Sequence, residues 1–269
     1  MHITITGNLG SGKSTICKIL EDKYGFEIYS TGKVQRELAR QMNMTTLEMN
    51  QLMCSDHKYD TMIDDETARI SRENRDKNII FDSRLAWHFV ERSFKVFLSV
   101  SLDVAADRVM NDNRGKEEKY STIEEAKNLL AARAETEDKR YKDMYNLEYF
   151  NFQNYNLVID STYCTPEKIA SIIMAEAKKY YDTLASKGSE EVYNYHRLLI
   201  SPKRLVSDVT QDDKIRLNHL ITEYEKETDY KEANILVQKN GDEYIVNDGL
   251  DDVIAAFLGN VPYVPITLI

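Results

Sequence analysis

The run Gly7-Asn8-Leu9-Gly10-Ser11-Gly12-Lys13-Ser14 fits the pattern G-x-x-x-x-G-K-[ST] in full. Glycines let such a loop fold so that successive backbone N–H groups point inward at phosphate oxygens. A helix beginning at Thr15 adds the partial positive charge of its N-terminus at the same place. Lys13 is then placed to reach β- and γ-phosphates, and the Ser14 hydroxyl to join the shell of a Mg²⁺ ion. Gly7, Gly10, Ser11, Gly12, Lys13, Ser14 and Thr15 are therefore the candidate ATP-binding residues. The pattern specifies nucleotide phosphates but not the reaction, since a GTPase or a motor ATPase would begin the same way.

A second set of residues could bind an anionic acceptor. Ser30-Thr31-Gly32-Lys33-Val34-Gln35-Arg36 and Phe81-Asp82-Ser83-Arg84-Leu85-Ala86 each follow a strand-like run, and Arg133 to Tyr141 lies in a long charged stretch. Phosphoryl transfer needs positioned cations around developing charge, and the planar guanidinium matches phosphate oxygens two at a time. Arg133 and Arg140 are seven residues apart, so one helix face presents both. Asp82 ends an apolar strand, a suitable place for a carboxylate that orients Mg²⁺-bound water. Asp60 and Asp64, one turn apart in a charged helix, could touch the acceptor but read first as a solvent-facing pair, and Tyr141, Tyr145, Tyr149 and Phe150 read as packing more than base stacking.

The elements that must hold these residues alternate in type. Strands are expected at His2–Thr6, Phe26–Tyr29, Asn78–Asp82, Phe94–Val100 and Tyr155–Asp160, separated by helical patterns. That alternation predicts a parallel sheet covered on both faces, with ligands at the loops beyond the strand ends. Helix starts are expected at Ser121-Thr122, with Glu124 and Glu125 completing a capping box, and at Thr165-Pro166. Ala185–Ser189 reads as a linker. Beyond it come a helix over Asp212–Asp229, strands Ile235–Gln238 and Glu243–Val246 joined by a turn at Lys239–Asp242, a helix over Leu250–Leu258 and a last strand Tyr263–Leu268.

With these motifs in view, residues 1 to about 185 resemble the cytidylate kinases, particularly the short archaeal form. The resemblance implies the P-loop nucleoside monophosphate kinase fold, an α/β fold with a five-stranded parallel sheet and helices on both faces. It implies ATP and Mg²⁺ as cofactors and CMP or dCMP as acceptor. Carried over by position, Thr31 and Arg36 would hold the acceptor nucleotide, and Arg84 would grip its phosphate. Arg133, Glu137 and Arg140 keep the family spacing and would serve the cytosine, the acceptor phosphate and the transferring phosphoryl group, with Glu137 standing where an aspartate is usual. Arg108 and Arg114 fall in the segment resembling the mobile lid, where arginines clamp ATP; as lone arginines in a charged stretch they equally suit a solvated surface. Other readings stay open: a kinase of the same build for another small metabolite, or a non-catalytic nucleotide sensor.

The 269 residues suffice for a domain of 1–187 and a smaller one of 190–269. Formal net charge is −10, and residues 190–269 hold fifteen Asp and Glu against eight Lys and Arg. A basic footprint for nucleic acid is missing. No apolar run approaches the roughly 18 residues that span a bilayer, and Met1 leads directly into strand-like residues, so a cytoplasmic protein without a membrane partner is expected. Cys17, Cys54 and Cys164 stand alone, as reduced, buried small residues do. Residues 195–269 resemble the ParB/sulfiredoxin-like fold, a small α+β unit, through Leu199-Ile200-Ser201-Pro202, the hairpin and Asn247-Asp248-Gly249. The basic residues that family places after Asp-Gly are here Leu250, Asp251 and Asp252, so no site is carried over. A structural or regulatory unit is expected, open to a protein partner or self-association, and dispensable for the chemistry of the first 187 residues.

Overall fold

The computed structural model describes residues 1–45, 48–49, 52–53, 58–111, 120–188 and 195–269. Arg114 and Cys54, both singled out above, lie outside the described residues.

Five strands form the expected parallel sheet: β1 His2–Gly7, β2 Glu27–Ser30, β3 Ile79–Asp82, β4 Phe94–Ser99 and β5 Leu157–Asp160. Their order is β2-β3-β1-β4-β5, with every neighbouring pair parallel. All six residues of β1 are buried, because a central parallel strand is covered on both faces. The connections are α1 Lys13–Tyr24, α2 Thr31–Gln41, α3 Lys58–Glu73, α4 Ala86–Phe89, α5 Leu102–Asn111, α6 Ile123–Tyr145 and α7 Pro166–Lys187. The Thr122 hydroxyl accepts the Glu125 N–H at the start of α6, while the Glu125 carboxylate accepts from the Ser121 N–H. Thr165 caps α7 ahead of Pro166, as its sequence suggested.

The expected linker is mostly helix. Ala185, Ser186 and Lys187 form the last turn of α7, and Gly188 ends it at φ 89° with its N–H on the Leu184 carbonyl. Alanine, serine and lysine all tolerate a helix, so only the glycine stops it.

Residues 195–269 then extend the same sheet. β6 Arg197–Ile200, a strand the sequence reading did not assign, pairs parallel with β5. β9 Val264–Leu268 lies antiparallel to β6, followed by β7 Leu236–Asn240 and β8 Glu243–Asp248, a sheet of nine strands among the described residues. Lys239 and Asn240, expected in the hairpin turn, belong to β7. The helix expected over Asp212–Asp229 is two short ones, α8 Gln211–Arg216 and α9 Asn218–Tyr224, because the run after Tyr224 is charged and has no apolar side to bury. The last helix, α10, covers Leu250–Leu258 as expected.

Alternation along β6 sends its side chains into two different cores. Leu199 packs with Ile3, Ile5, Leu98 and Ile159 under α1 and α7, whereas Leu198 and Ile200 join Trp87, Phe97, Val158, Val253 and Val264 on the opposite face. Without β6, the outer edge of β5 would offer unpaired backbone groups to solvent. The small α+β unit expected at 190–269 therefore shares its sheet and both cores with residues 1–187.

Candidate active site

The phosphate loop joins β1 to α1 at the centre of the sheet, where neighbouring backbone is too close for side chains. A Cβ on Gly7, at φ 151°, would stand 2.3 Å from the Leu98 carbonyl oxygen. One on Gly10, at φ 76°, would stand 2.8 Å from the Ala105 carbonyl oxygen. Glycine at these positions thus lets β4 and α5 support the loop directly. Ser11 is buried, while Ser14 and Thr15 stay exposed at the mouth of α1.

Lys13 folds back over the loop, with Nζ 3.2 Å from the Gly7 carbonyl oxygen and 3.4 Å from that of Asn8. Burial, reinforced by the neighbouring Arg84 charge, pulls its ammonium down to about 7 against the opposing pull of Asp82 and Glu137. Among the described residues, no carboxylate stands close enough to the lysine for an ion pair.

A cavity of about 650 Å³ opens beside Lys13 and Ser14. It brings together Thr31 and Arg36 from α2, Asp82 and Arg84 from the end of β3, and Arg133, Glu137, Arg140 and Tyr141 from α6. Every residue read from the sequence as acceptor-binding or catalytic therefore lines one space. Glu137 sits between two guanidinium groups, with Oε2 3.1 Å from Arg84 Nε and Oε1 3.1 Å from Arg133 Nε. Burial alone would raise its carboxyl, but the Arg84 and Arg133 charges outweigh that and hold it below the usual range. Glu137 thus orients the arginines, a contact the family carry-over did not include. Arg84 also donates to the Gly7 carbonyl, which ties the acceptor side to the phosphate loop. Asp82 accepts from the Ser30 hydroxyl at 3.2 Å.

Asp60 and Asp64 are not on a solvent face. Both line the cavity; Asp60 is buried and pairs with Arg140, and Asp64 accepts from the Tyr145 hydroxyl at 2.7 Å. Burial pushes the Asp64 carboxyl up to about 6. Their spacing of four on α3 was visible in the sequence, but the helix facing them was not. Tyr145, Tyr149 and Phe150 pack in the core as expected, while Tyr141 both packs and faces the cavity. Cys17 is buried against the cavity wall, its thiol pushed up by burial.

Arg108 lies on the other side of the phosphate loop. Its Nη1 reaches the Gly10 carbonyl oxygen at 3.2 Å and Ser161 Oγ at 3.3 Å, and its Nη2 reaches the Ser161 carbonyl oxygen at 2.7 Å. It bridges the loop to the end of β5 and is not a solvated surface group.

Ser14 and Asp82 supply hard oxygen donors to one cavity next to Lys13, a donor set that suits Mg²⁺ accompanied by phosphate and water.

A model of the Cytidylate kinase-like family matches residues 2–163. The chain belongs to that family. A cytidylate kinase of Methanobrevibacter smithii is 31% identical over 178 residues, covering 66% of this chain and 99% of that one. One of Haloarcula marismortui is 33% identical over 182 residues, 67% of this chain and 91% of that one. An S-adenosylmethionine-dependent nucleotide dehydratase of Lacinutrix mariniflava is 31% identical over 178 residues, but they make up only 36% of its length. The family match stops before β6, so the strands and helices after residue 195 lie beyond it. Among the described residues, no helix is long and apolar enough to cross a membrane.

Proposed function

We propose that the protein transfers the γ-phosphoryl group of ATP to CMP or dCMP. The observation that carries this reading is the convergence of Arg84, Arg133 and Arg140 on one cavity beside Lys13, which Thr31 and Arg36 also line. Backbone N–H groups of residues 7–14 and the start of α1 hold the ATP phosphates, and Lys13 adds a charge on the β- and γ-oxygens. Ser14 and Asp82 would hold Mg²⁺, which would supply positive charge against that of the phosphates.

Arg84 binds the acceptor phosphate, exchanging part of its contact with Glu137 for phosphate oxygens. Arg133 and Arg140 stabilise the charge on the transferring group. Asp60, Asp64 and Tyr141 add polar groups to the cavity lining, suited to hydrogen bonding with the base or sugar of the acceptor. The nucleoside half of ATP lies across the phosphate loop, between Arg108 and the loops that follow β4 and β5, because the acceptor cavity takes up the β1–β3–β2 side.

A coupled assay of ADP release over a panel of nucleoside monophosphates and small hydroxylated metabolites tests the assignment. Highest kcat/KM with CMP or dCMP is the expected result. Preference for a non-nucleotide acceptor would keep the kinase and replace the substrate; no acceptor-dependent ADP release at all would leave a nucleotide sensor.

A further inference from the structure

We infer that the segment after residue 195 completes the ATP site, with Arg204 and Asp242 as positioning residues for the two loops that face the nucleoside half of ATP. This rests on the placement of ATP given above and goes beyond it, because both residues lie outside the part of the chain that matches the family. The phosphate loop has two neighbours on this side: the β4–α5 connection at residues 100–101 and the loop after β5 at residues 161–165.

Arg204 sits in a short 3-10 turn, Pro202–Arg204, with only 7% of its side chain exposed. Its Nη1 lies 3.4 Å from Oδ1 of Asp160, whose side chain has no exposure at all. The same Asp160 oxygen accepts from Thr162 Oγ1 at 2.6 Å, and Thr162 Oγ1 in turn accepts from the Ser101 N–H at 3.0 Å. One guanidinium thus governs a chain of hydrogen bonds that reaches both loops.

Asp242, at the tip of the β7–β8 hairpin, meets Arg204 Nη2 at 3.0 Å and accepts the Leu102 N–H on its Oδ2 at 2.9 Å. That carboxylate fixes the first turn of α5, the helix that backs Gly10 and carries Arg108. The Arg108 guanidinium then joins Gly10 to Ser161. Tyr263 adds a third tie, its hydroxyl donating to the Asp160 carbonyl at 2.7 Å.

A buried aspartate at the end of β5 would carry an uncompensated charge without Arg204. Burial raises the Asp160 carboxyl, and Arg204 opposes that shift, so the arginine keeps the acceptor oxygen that Thr162 needs. Loosening loops that hold a ligand lowers affinity, because their ordering must then be supplied on binding.

The test uses the full chain and measures Mg·ATP binding by calorimetry without acceptor, CMP binding, steady-state KM and kcat, and thermal unfolding. Asp242→Ala, at a half-exposed carboxylate, keeps the fold and weakens ATP binding by about tenfold, with CMP binding and the unfolding midpoint near those of the parent. Arg204→Met loses more, and Arg204→Lys recovers part of the loss. A purely structural role would lower the midpoint and leave the ATP affinity of the folded protein unchanged; that pattern, or parental ATP affinity in both Asp242→Ala and Arg204→Lys, overturns the inference. A parent chain that binds ATP but phosphorylates no nucleotide overturns the proposed function alone, whereas one that binds no ATP overturns both.

Discussion

The guanidinium of Arg84 and the carboxylate of Glu137 stand 3.1 Å apart across the cavity, one at the end of β3 and the other on α6. Without a ligand, the pair keeps two buried charges compensated and fixes the angle between strand end and helix. On the proposed function, an arriving acceptor phosphate competes with Glu137 for the N–H groups of Arg84.

Arg84→Ala is expected to weaken CMP binding at least tenfold more than ATP binding, since each charge-assisted hydrogen bond is worth roughly 1.5–3 kcal/mol. Calorimetry with each nucleotide separately decides. An equal loss for both would assign Arg84 to the phosphate loop through its contact with Gly7. The variant should also change the acid limb of stability. The Glu137 carboxyl is held below its ordinary 4.5, so its contribution is present above that value and disappears as pH falls through the depressed one. Losing Arg84 moves that limb to higher pH.

Lys13→Ala should nearly abolish transfer while leaving the unfolding midpoint close to that of the parent, since the ammonium contacts the Gly7 and Asn8 carbonyls of the loop and is no part of the apolar core. A second signature is protonic. With the ammonium at about 7 in the free protein, much of it is neutral at pH 8, and phosphate oxygens raise its affinity for a proton. ATP binding at pH 8 is expected to take up protons, seen as a binding enthalpy that varies with the ionisation heat of the buffer. Lys13→Ala should lose that variation, and a flat response in the parent would contradict the assignment.

Asp64→Asn should stabilise the protein at pH 8 and have little effect below pH 4, when unfolding is followed at both. The folded-state carboxyl titrates at about 6 against an ordinary 3.8, so protonation favours the fold. That contribution is complete below 3.8 and is lost as pH rises through 6. Asparagine cannot ionise and keeps an oxygen for the Tyr145 hydroxyl. The same midpoint change at both pH values would show that charge is not the cause.

Truncation after Gly188 should give an insoluble or unfolded protein, contrary to the reading of the first 187 residues as self-sufficient. It strips β6 from the edge of β5 and exposes Phe97, Trp87 and Val158, which Leu198, Ile200 and Val253 cover. Soluble yield, unfolding and specific activity are measured separately. A soluble, monodisperse and active truncation would show that the shared core is not required.

Local chemistry carried much of this protein's design in readable form. The phosphate loop is a run of consecutive residues whose backbone demands are written in its glycines. The strands are short apolar runs, and the caps at Thr122 and Thr165 are tetrapeptide-scale signals. Arg84, Arg133 and Arg140 could be named because they stand where the family that the sequence resembles keeps its arginines. What the sequence could not express was which distant groups would face each other. Asp60 and Asp64 looked solvated because their partners, Arg140 and Tyr145, come from a helix far along the chain. Glu137 looked like a base or sugar contact until Arg84 and Arg133 were seen on either side of it. Arg204 gave no local signal, since its meaning lies in Asp160, a residue on another strand. The apparent boundary near Gly188 misled for the same reason: a small polar stretch marks the end of a helix, but whether the next strand founds a new sheet or joins the old one is decided by the free edge of β5, a property of the assembled fold.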